Sequence, residues 1–413
     1  MMSQKKLIPK KRFKGYFDNW EVYKLEDLSE IRTGKAFKST NFKRNGEYLV
    51  VTNKNIQDQM YKIESKGDRI NISDESILRN YLLTGENILV TMDGVNIGKV
   101  GKYSNNEGVL AQRVGRVNSE QIEFIYQITS NNKFLTEMNK LSVGNAIKHI
   151  SLKQIAEYTF MAPKYNSEQQ KLGQFFKHLD DMIALHQRKI DKTKALKSAY
   201  LAEMFPAEGE RVPKRRFSGF TDEWEIKKLG EIGQTFNGLS GKTKKDFGIG
   251  DAEFVTYLNV FNNPISNTNI TENVEIDLKQ NEVKYGDVLF TTSSETPHEV
   301  GMSSVWFDNR PNVYLNSFCF GYRINISINY LFIAYLFRSN IMRKQMEILA
   351  QGISRYNISK NKVMEIAILL PGSEEQKKIG KFFKNLDDII TNHERKLEKL
   401  KATKQAYLNE MFV

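Results

Sequence analysis

One cysteine, Cys319, is all the thiol this chain of 413 residues carries, so a disulfide framework and every cysteine-rich zinc site are excluded. Set between Phe318 and Phe320, it reads as a small buried hydrophobe. Histidine is also scarce. The five are His149, His178, His186, His298 and His393, and the nearest two stand eight positions apart, so no metal-ligand set is expected. The chain lacks any apolar run of 18 residues and any secretory h-region, which points to a soluble, cytoplasmic protein. Two glycine-rich stretches fall short of nucleotide sites. Gly241-Lys242-Thr243 has Phe236 where a phosphate-binding loop needs its earlier glycine. Asp246-Phe247-Gly248-Ile249-Gly250 resembles a methyl-donor loop, but no Asn/Asp-Pro-Pro-aromatic tetrapeptide accompanies it, so a turn is expected. No residue is assigned to catalysis.

What the chain has in quantity is positive charge. The formal net charge is +12, with 40% hydrophobic and 27% charged residues, a globular composition with a basic excess. Divided after Phe205, the first half holds 33 basic against 23 acidic residues and the second 28 against 26. A polyanion such as nucleic acid is a reasonable partner; alternating charges on long helices are also compatible with a solvated face.

The chain is also written twice. Leu172, Phe176, Leu179, Ile183, His186, Ile190, Thr193, Lys197, Tyr200 and Met204 recur at spacings of 4 and 3, the seam of a long amphipathic helix. An offset of 207 reproduces it as Ile379, Phe383, Leu386, Ile390, His393, Leu397, Leu400, Lys404, Tyr407 and Met411. At about 1.5 Å per residue such a helix runs roughly 54 Å, longer than one sheet needs, so each is expected to pair with its copy in antiparallel fashion. The alternative is that each helix packs only on its own neighbouring domain. His186 and His393, matched on the seam, are expected to fix register.

In chain order, a basic tail over residues 1–11 (Lys5, Lys6, Lys10, Lys11) precedes a first domain over 12–162, a long helix over 163–205 and a linker over 206–215. A second domain over 216–370 and a second long helix over 371–413 follow. Each domain opens with a matched run, Phe13-Lys14-Gly15 with Trp20 and Phe217-Ser218-Gly219 with Trp224, where the tryptophans are expected to anchor cores. Strands are expected at 47–51, 87–91, 99–103, 252–256, 287–291 and 320–324, and helical segments over 124–141 and 328–349. Residues 144–151 and 352–359 are each expected to form a matched turn and short extended run. The domains agree only faintly between these landmarks, as two readers of different targets would.

These residues together resemble the DNA specificity subunit of a Type I restriction-modification system. The resemblance rests on the two openings and on Glu168-Gln169, Gly173, Phe175-Phe176, Leu179-Asp180 and Met204-Phe205 in the first half. The second half repeats them as Glu375-Gln376, Gly380, Phe382-Phe383, Leu386-Asp387 and Met411-Phe412. It implies two tandem recognition domains of mixed α/β fold, joined by long antiparallel coiled-coil helices in an internal pseudo-two-fold repeat. It further implies a bipartite, asymmetric double-stranded DNA target, with the helices as the ruler between half-sites. Members are not enzymes on their own. They recruit two methyltransferase subunits and two restriction subunits, so S-adenosylmethionine, ATP and magnesium belong to partners and this chain has no cofactor. A scaffold for partners other than nucleic acid is the competing reading.

Candidate DNA-contacting residues combine hydrogen-bonding and basic types in expected loops. In the first domain they are Lys35, Lys38, Asn41, Lys43, Arg44, Thr52, Asn53, Lys54, Asn55, Gln112 and Arg113. In the second they are Lys242, Lys244, Lys245, Tyr257, Asn259, Thr291, Thr292, Ser293, Ser294 and Arg323. The turn residues Asn145, Lys148, Arg355 and Asn357 are expected to hold backbone or steady the turns. Arg188, Lys192, Lys194, Arg395, Lys399 and Lys401 mark expected docking faces for methyltransferase subunits.

Overall fold

The computed structural model describes residues 8–56, 67–144 and 148–413, all but the side chain of Lys244. The expectations for Lys5, Lys6, Asn145 and the Lys244 side chain therefore lie outside the described residues. The chain divides into two compact units, one running up to Arg188 together with Glu394–Val413, the other Lys189–His393. Both long helices are continuous, Asn166–Glu203 and Ser373–Met411, and each contributes to both units.

Each unit is built on one plan. In the first, a four-stranded antiparallel sheet has the order Glu30–Thr33, Val114–Asn118, Asn87–Thr91, Val100–Tyr103. A three-stranded sheet places Tyr48–Val51 between Arg69–Ile70, antiparallel, and Gly108–Leu110, parallel. The second unit repeats the four-stranded order as Gly233–Asn237, Cys319–Ile324, Val288–Thr291, Ser303–Val305. Its three-stranded sheet places Phe247–Val255 between Thr271–Val274 and Val313–Leu315, again antiparallel and parallel. Two strands flanked on both sides, Asn87–Thr91 and Val288–Thr291, are buried at every position and apolar through their middles. The expected helical run over 124–141 is two helices, Ile122–Thr129 and Asn132–Leu141, because Asn131 stops the first and caps the second, its side chain accepting the Phe134 N–H at 2.9 Å. The run over 328–349 likewise divides into Tyr330–Leu336 and Asn340–Ile348.

The doubled motifs are explained by what touches what within each unit. In the first, Phe175 meets Tyr407 at 5.1 Å between ring centroids and Lys404 Nζ reaches Asp180 Oδ1 at 2.6 Å; numbers rise along one helix as they fall along the other, so the pair is antiparallel. In the second, Tyr200 with Phe382 at 5.0 Å and Lys197 with Asp387 at 2.5 Å show the same sense. Most apolar seam positions, including Leu172, Phe176, Leu179, Ile190, Leu397 and Met411, are buried, while His186 and His393 are half-buried. The Met-Phe helix ends complete the cores around the opening tryptophans. Phe412 lies edge-on to Trp20 at 6.0 Å, and Phe205 edge-on to Trp224 at 6.2 Å. Both tryptophans are 1% exposed. The glutamine of each Glu-Gln pair folds back so that Gln169 Nε2 donates to the Pro163 carbonyl and Gln376 Nε2 to the Pro371 carbonyl, both at 2.8 Å. Gly173 and Gly380 permit close approach: a Cβ at either would stand 2.7 Å from the backbone nitrogen of Phe124 or Phe332. Among the described residues no helix is long and apolar enough to cross a membrane.

Candidate nucleic-acid interface

Four loops converge at one end of the sheets in each unit, and backbone hydrogen bonds fix them identically. In the first unit the Met92 N–H donates to the Arg113 carbonyl at 3.1 Å and the Ile150 N–H to the Met92 carbonyl at 2.9 Å. Their counterparts are Thr292 to Phe318 at 2.9 Å and Ile358 to Thr292 at 3.0 Å. The Ala111 N–H donates to the Val51 carbonyl at 3.0 Å and Asn316 to Val255 at 3.1 Å. Lys35 to Leu110 at 3.0 Å corresponds to Leu239 to Leu315 at 2.7 Å. Residues 52–55, 92–95, 112–113 and 148–150 are thereby brought together in one unit, and 256–259, 292–295, 316–318 and 355–358 in the other.

The side chains on this shared frame differ. In the first unit Arg113 Nη1 donates to Asp93 Oδ2 at 3.0 Å, and Asn53 Nδ2 donates to the other carboxylate oxygen of Asp93. Thr52 and Asn55 close the turn on which Asn53 sits, the Thr52 N–H donating to Asn55 Oδ1 at 2.9 Å. Lys54, Gln112, Arg113 and Lys148 are exposed around this cluster, and the Gly94 N–H donates to the Lys148 carbonyl at 3.1 Å. In the second unit Tyr257 takes the place of Asn53 and donates its hydroxyl to the Ser293 carbonyl at 2.6 Å. Phe318 takes the place of Arg113, with the Arg355 guanidinium 5.6 Å from its ring centroid. A cleft of about 710 Å³ opens beside them, lined among others by Phe261, Ser294, Glu295 and Glu299. The first cluster is rich in donors and cations; the second mixes aromatic rings, hydroxyls and carboxylates.

The other sequence candidates divide by burial. Lys35 joins the first cluster through its backbone, its amide donating to Leu110 and its carbonyl accepting the Gln112 N–H at 2.9 Å. Lys38, Asn41, Lys43 and Arg44 form a separate exposed rim, where the Lys43 N–H donates to the Arg69 carbonyl at 2.9 Å. Lys245 is exposed, and Lys242 pairs with Asp277 at 2.9 Å, an ion pair that raises the lysine pKa and pulls that of Asp277 down to about 2. Two candidates are withdrawn from the surface, and a third, Arg323, is tied to a neighbouring carboxylate. Asn259 is 1% exposed and donates to the Asn267 and Ile270 carbonyls, so its amide holds a loop. Thr291 is fully buried, its hydroxyl accepting the Met302 N–H at 3.0 Å. Arg323 is locked onto Asp287 by two hydrogen bonds of 2.8 and 2.7 Å and donates further to the Glu282 carbonyl. The Asn259 amide and the Nε and Nη2 donors of Arg323 are thus engaged within the fold. Ser293 and Ser294 are buried at the cleft wall, and Thr292 Oγ1 donates to the Phe318 carbonyl at 2.7 Å. Asp93, Phe318 and Glu299 enter the clusters without having been selected from sequence.

The comparisons with known proteins agree with this duplication. A family profile described as the Type I restriction modification DNA specificity domain matches twice, over residues 18–195 and 221–402. The chain is similar to the specificity subunit of the MjaVIII type I restriction enzyme of Methanocaldococcus jannaschii, 21% identical over 434 residues, covering 95% of this chain and 92% of that protein. The MjaX specificity subunit of the same organism is 24% identical over 417 residues, with 95% and 92% covered. The crystal structure of a Type-I restriction-modification S subunit from M. genitalium superimposes with a TM-score of 0.64 at 15% identity, covering 98% of this chain and 99% of that one.

Proposed function

The chain belongs to the Type I restriction modification DNA specificity family, whose members recognise DNA targets and are not catalytic, and on that premise we propose that its two loop platforms read the two halves of a bipartite, asymmetric target. The observation that carries this reading is the pairing of matched backbone hydrogen bonds with unmatched side chains. One frame presents Asn53, Asp93 and Arg113 in the first unit and Tyr257, Ser293 and Phe318 in the second. Two different chemical faces select two different base sequences, hence the asymmetry. The antiparallel long helices act as the ruler that sets the spacer between the half-sites. Their exposed basic residues Arg188, Lys192, Lys194, Arg395, Lys399 and Lys401 supply docking faces for two methyltransferase subunits, the repeat providing two equivalent places. Two restriction subunits complete the assembly. S-adenosylmethionine, ATP and magnesium act on those partners, in the cytoplasm, and this chain contributes adenine methylation or cleavage only through where it directs them.

The exposed rim of Lys38, Lys43 and Arg44 holds phosphate oxygens while the clusters read bases. Neutralising Lys43 and Arg44 together is expected to weaken binding to specific and scrambled duplexes alike. It should also lower the slope of log affinity against log salt by about 1 for each phosphate that is no longer neutralised. Titration of the chain assembled with its methyltransferase subunits at several salt concentrations measures both quantities. An unchanged slope places the DNA-facing surface elsewhere, and binding that ignores both salt and sequence favours a scaffold for other partners.

A further inference from the structure

Arg113 adopts φ +66°, and Asn312 is the only other non-glycine with positive φ among the described residues. Asparagine tolerates that region and is common in turns, whereas an arginine there is held against its own backbone preference. Stability does not account for the choice. The Asp93 side chain is 16% exposed, but that of Arg113 is 63% exposed, and solvent screening on the arginine side keeps the contribution of such a pair to folding small. A glycine would satisfy the same turn with less strain.

What the strain accompanies is a prepared guanidinium. Asp93 is itself fixed, one carboxylate oxygen accepting from Asn53 and the other from Arg113 Nη1 at 3.0 Å. A guanidinium carries five N–H donors in one plane, so an edge remains available beyond the Asp93 hydrogen bond. Two parallel donors at that edge match the O6 and N7 acceptors of guanine in the major groove. The matched position in the second unit is Phe318, 54% exposed, which offers no donor, so this device belongs to one unit alone.

Resting on the reading of the chain as a DNA specificity subunit, we infer that Arg113 reads a guanine in the half-site of the first unit, with Asp93 as its positioning residue. The guanine lies within the recognised half-sequence, and the neighbouring exposed Lys54 and Lys148 hold backbone on either side of it.

The test is base-resolved binding selection from a randomised duplex library, followed by competition with single-base variants. It uses the full chain assembled with its methyltransferase subunits, as wild type, Arg113→Ala, Arg113→Lys and Asp93→Asn. Arg113→Ala is expected to lose about tenfold or more of its preference at one guanine and to keep every other position. Arg113→Lys retains the charge without the planar fork, so it keeps non-specific affinity and loses most of the guanine preference. Asp93→Asn reduces discrimination at the same base and leaves the preferences at the other positions of the motif in place. Thermal unfolding accompanies each variant, and Arg113→Lys carries the test should the alanine variant fail to fold. An unchanged selected motif, an equal loss at all positions, or a lost preference at a base other than guanine overturns the inference and leaves the specificity-subunit reading standing. Absence of any sequence preference in the wild-type assembly overturns both.

Discussion

Removing one heptad from each long helix, residues 183–189 and 390–396, is expected to shorten the non-specific spacer by about three base pairs while both half-sequences stay the same. Seven residues at 1.5 Å amount to about 10 Å of helix, and successive base pairs are about 3.4 Å apart. Seven residues also make nearly two whole turns, so the seam stays on the same face after the deletion. Both helices are continuous, and the deletion falls within the seam and not in the platform loops. Deleting the heptad from only one helix removes that match, and assembly rather than spacing is then expected to suffer. Sequencing of methylated sites in cells carrying the double deletion reports the spacer. An unchanged spacer in a variant that still methylates DNA ends the ruler account.

The largest effect on stability is expected at the two buried clamps. Arg12 binds Glu168 through Nε at 2.7 Å and Nη2 at 2.8 Å, and its Nη1 donates to the Asp18 carbonyl at 2.6 Å. Arg216 repeats this on Glu375 with two hydrogen bonds of 2.7 Å. The carboxylates are almost wholly shielded, the Glu168 side chain 0% and the Glu375 side chain 1% exposed. The hydrogen bonds to the glutamate hold each arginine above its usual pKa, so charge loss at ordinary pH is not the route to failure. Arg12→Ala instead strands a buried carboxylate, which costs about 3–5 kcal/mol. Replacing both partners, Arg12→Met with Glu168→Met, removes the stranded charge and is expected to recover most of that loss. Denaturant unfolding of the single and double variants measures the difference. A single variant within about 0.5 kcal/mol of wild type shows that the clamp is ornamental.

The framework was legible in the sequence because it is local and periodic. A seam repeating every 3 or 4 residues and its copy at an offset of 207 identify two helices without reference to anything distant. The motifs at the helix starts were visible as patterns, but their causes are tertiary: Gly173 exists for the backbone of Phe124, and Glu168 for Arg12, 156 positions earlier. The platform was legible only in pieces for the same reason. Asn53, Asp93 and Arg113 are separated by 40 and 20 positions and meet only because strands of two different sheets, Tyr48–Val51 with Gly108–Leu110 and Asn87–Thr91, end near one another. Polar type alone does not separate base-facing residues from those that hold the fold: Asn259 and Thr291 are buried and Arg323 is bound to Asp287, since a residue suited to hydrogen-bond a base is equally suited to hold a loop. The break at Asn131 was likewise hidden within an apolar period that continues through it.

The proposed platforms, ruler and partner faces rest on a single proposal, that this chain directs methylation to one bipartite target with two unlike halves. A base-resolved adenine methylation map of cells expressing it with its methyltransferase subunits tests that claim directly. The account predicts one motif, two different specified half-sequences around a fixed unspecified spacer, with a guanine in the half that Arg113→Ala relaxes. A continuous or palindromic motif, or methylation without any motif that depends on this chain, contradicts it.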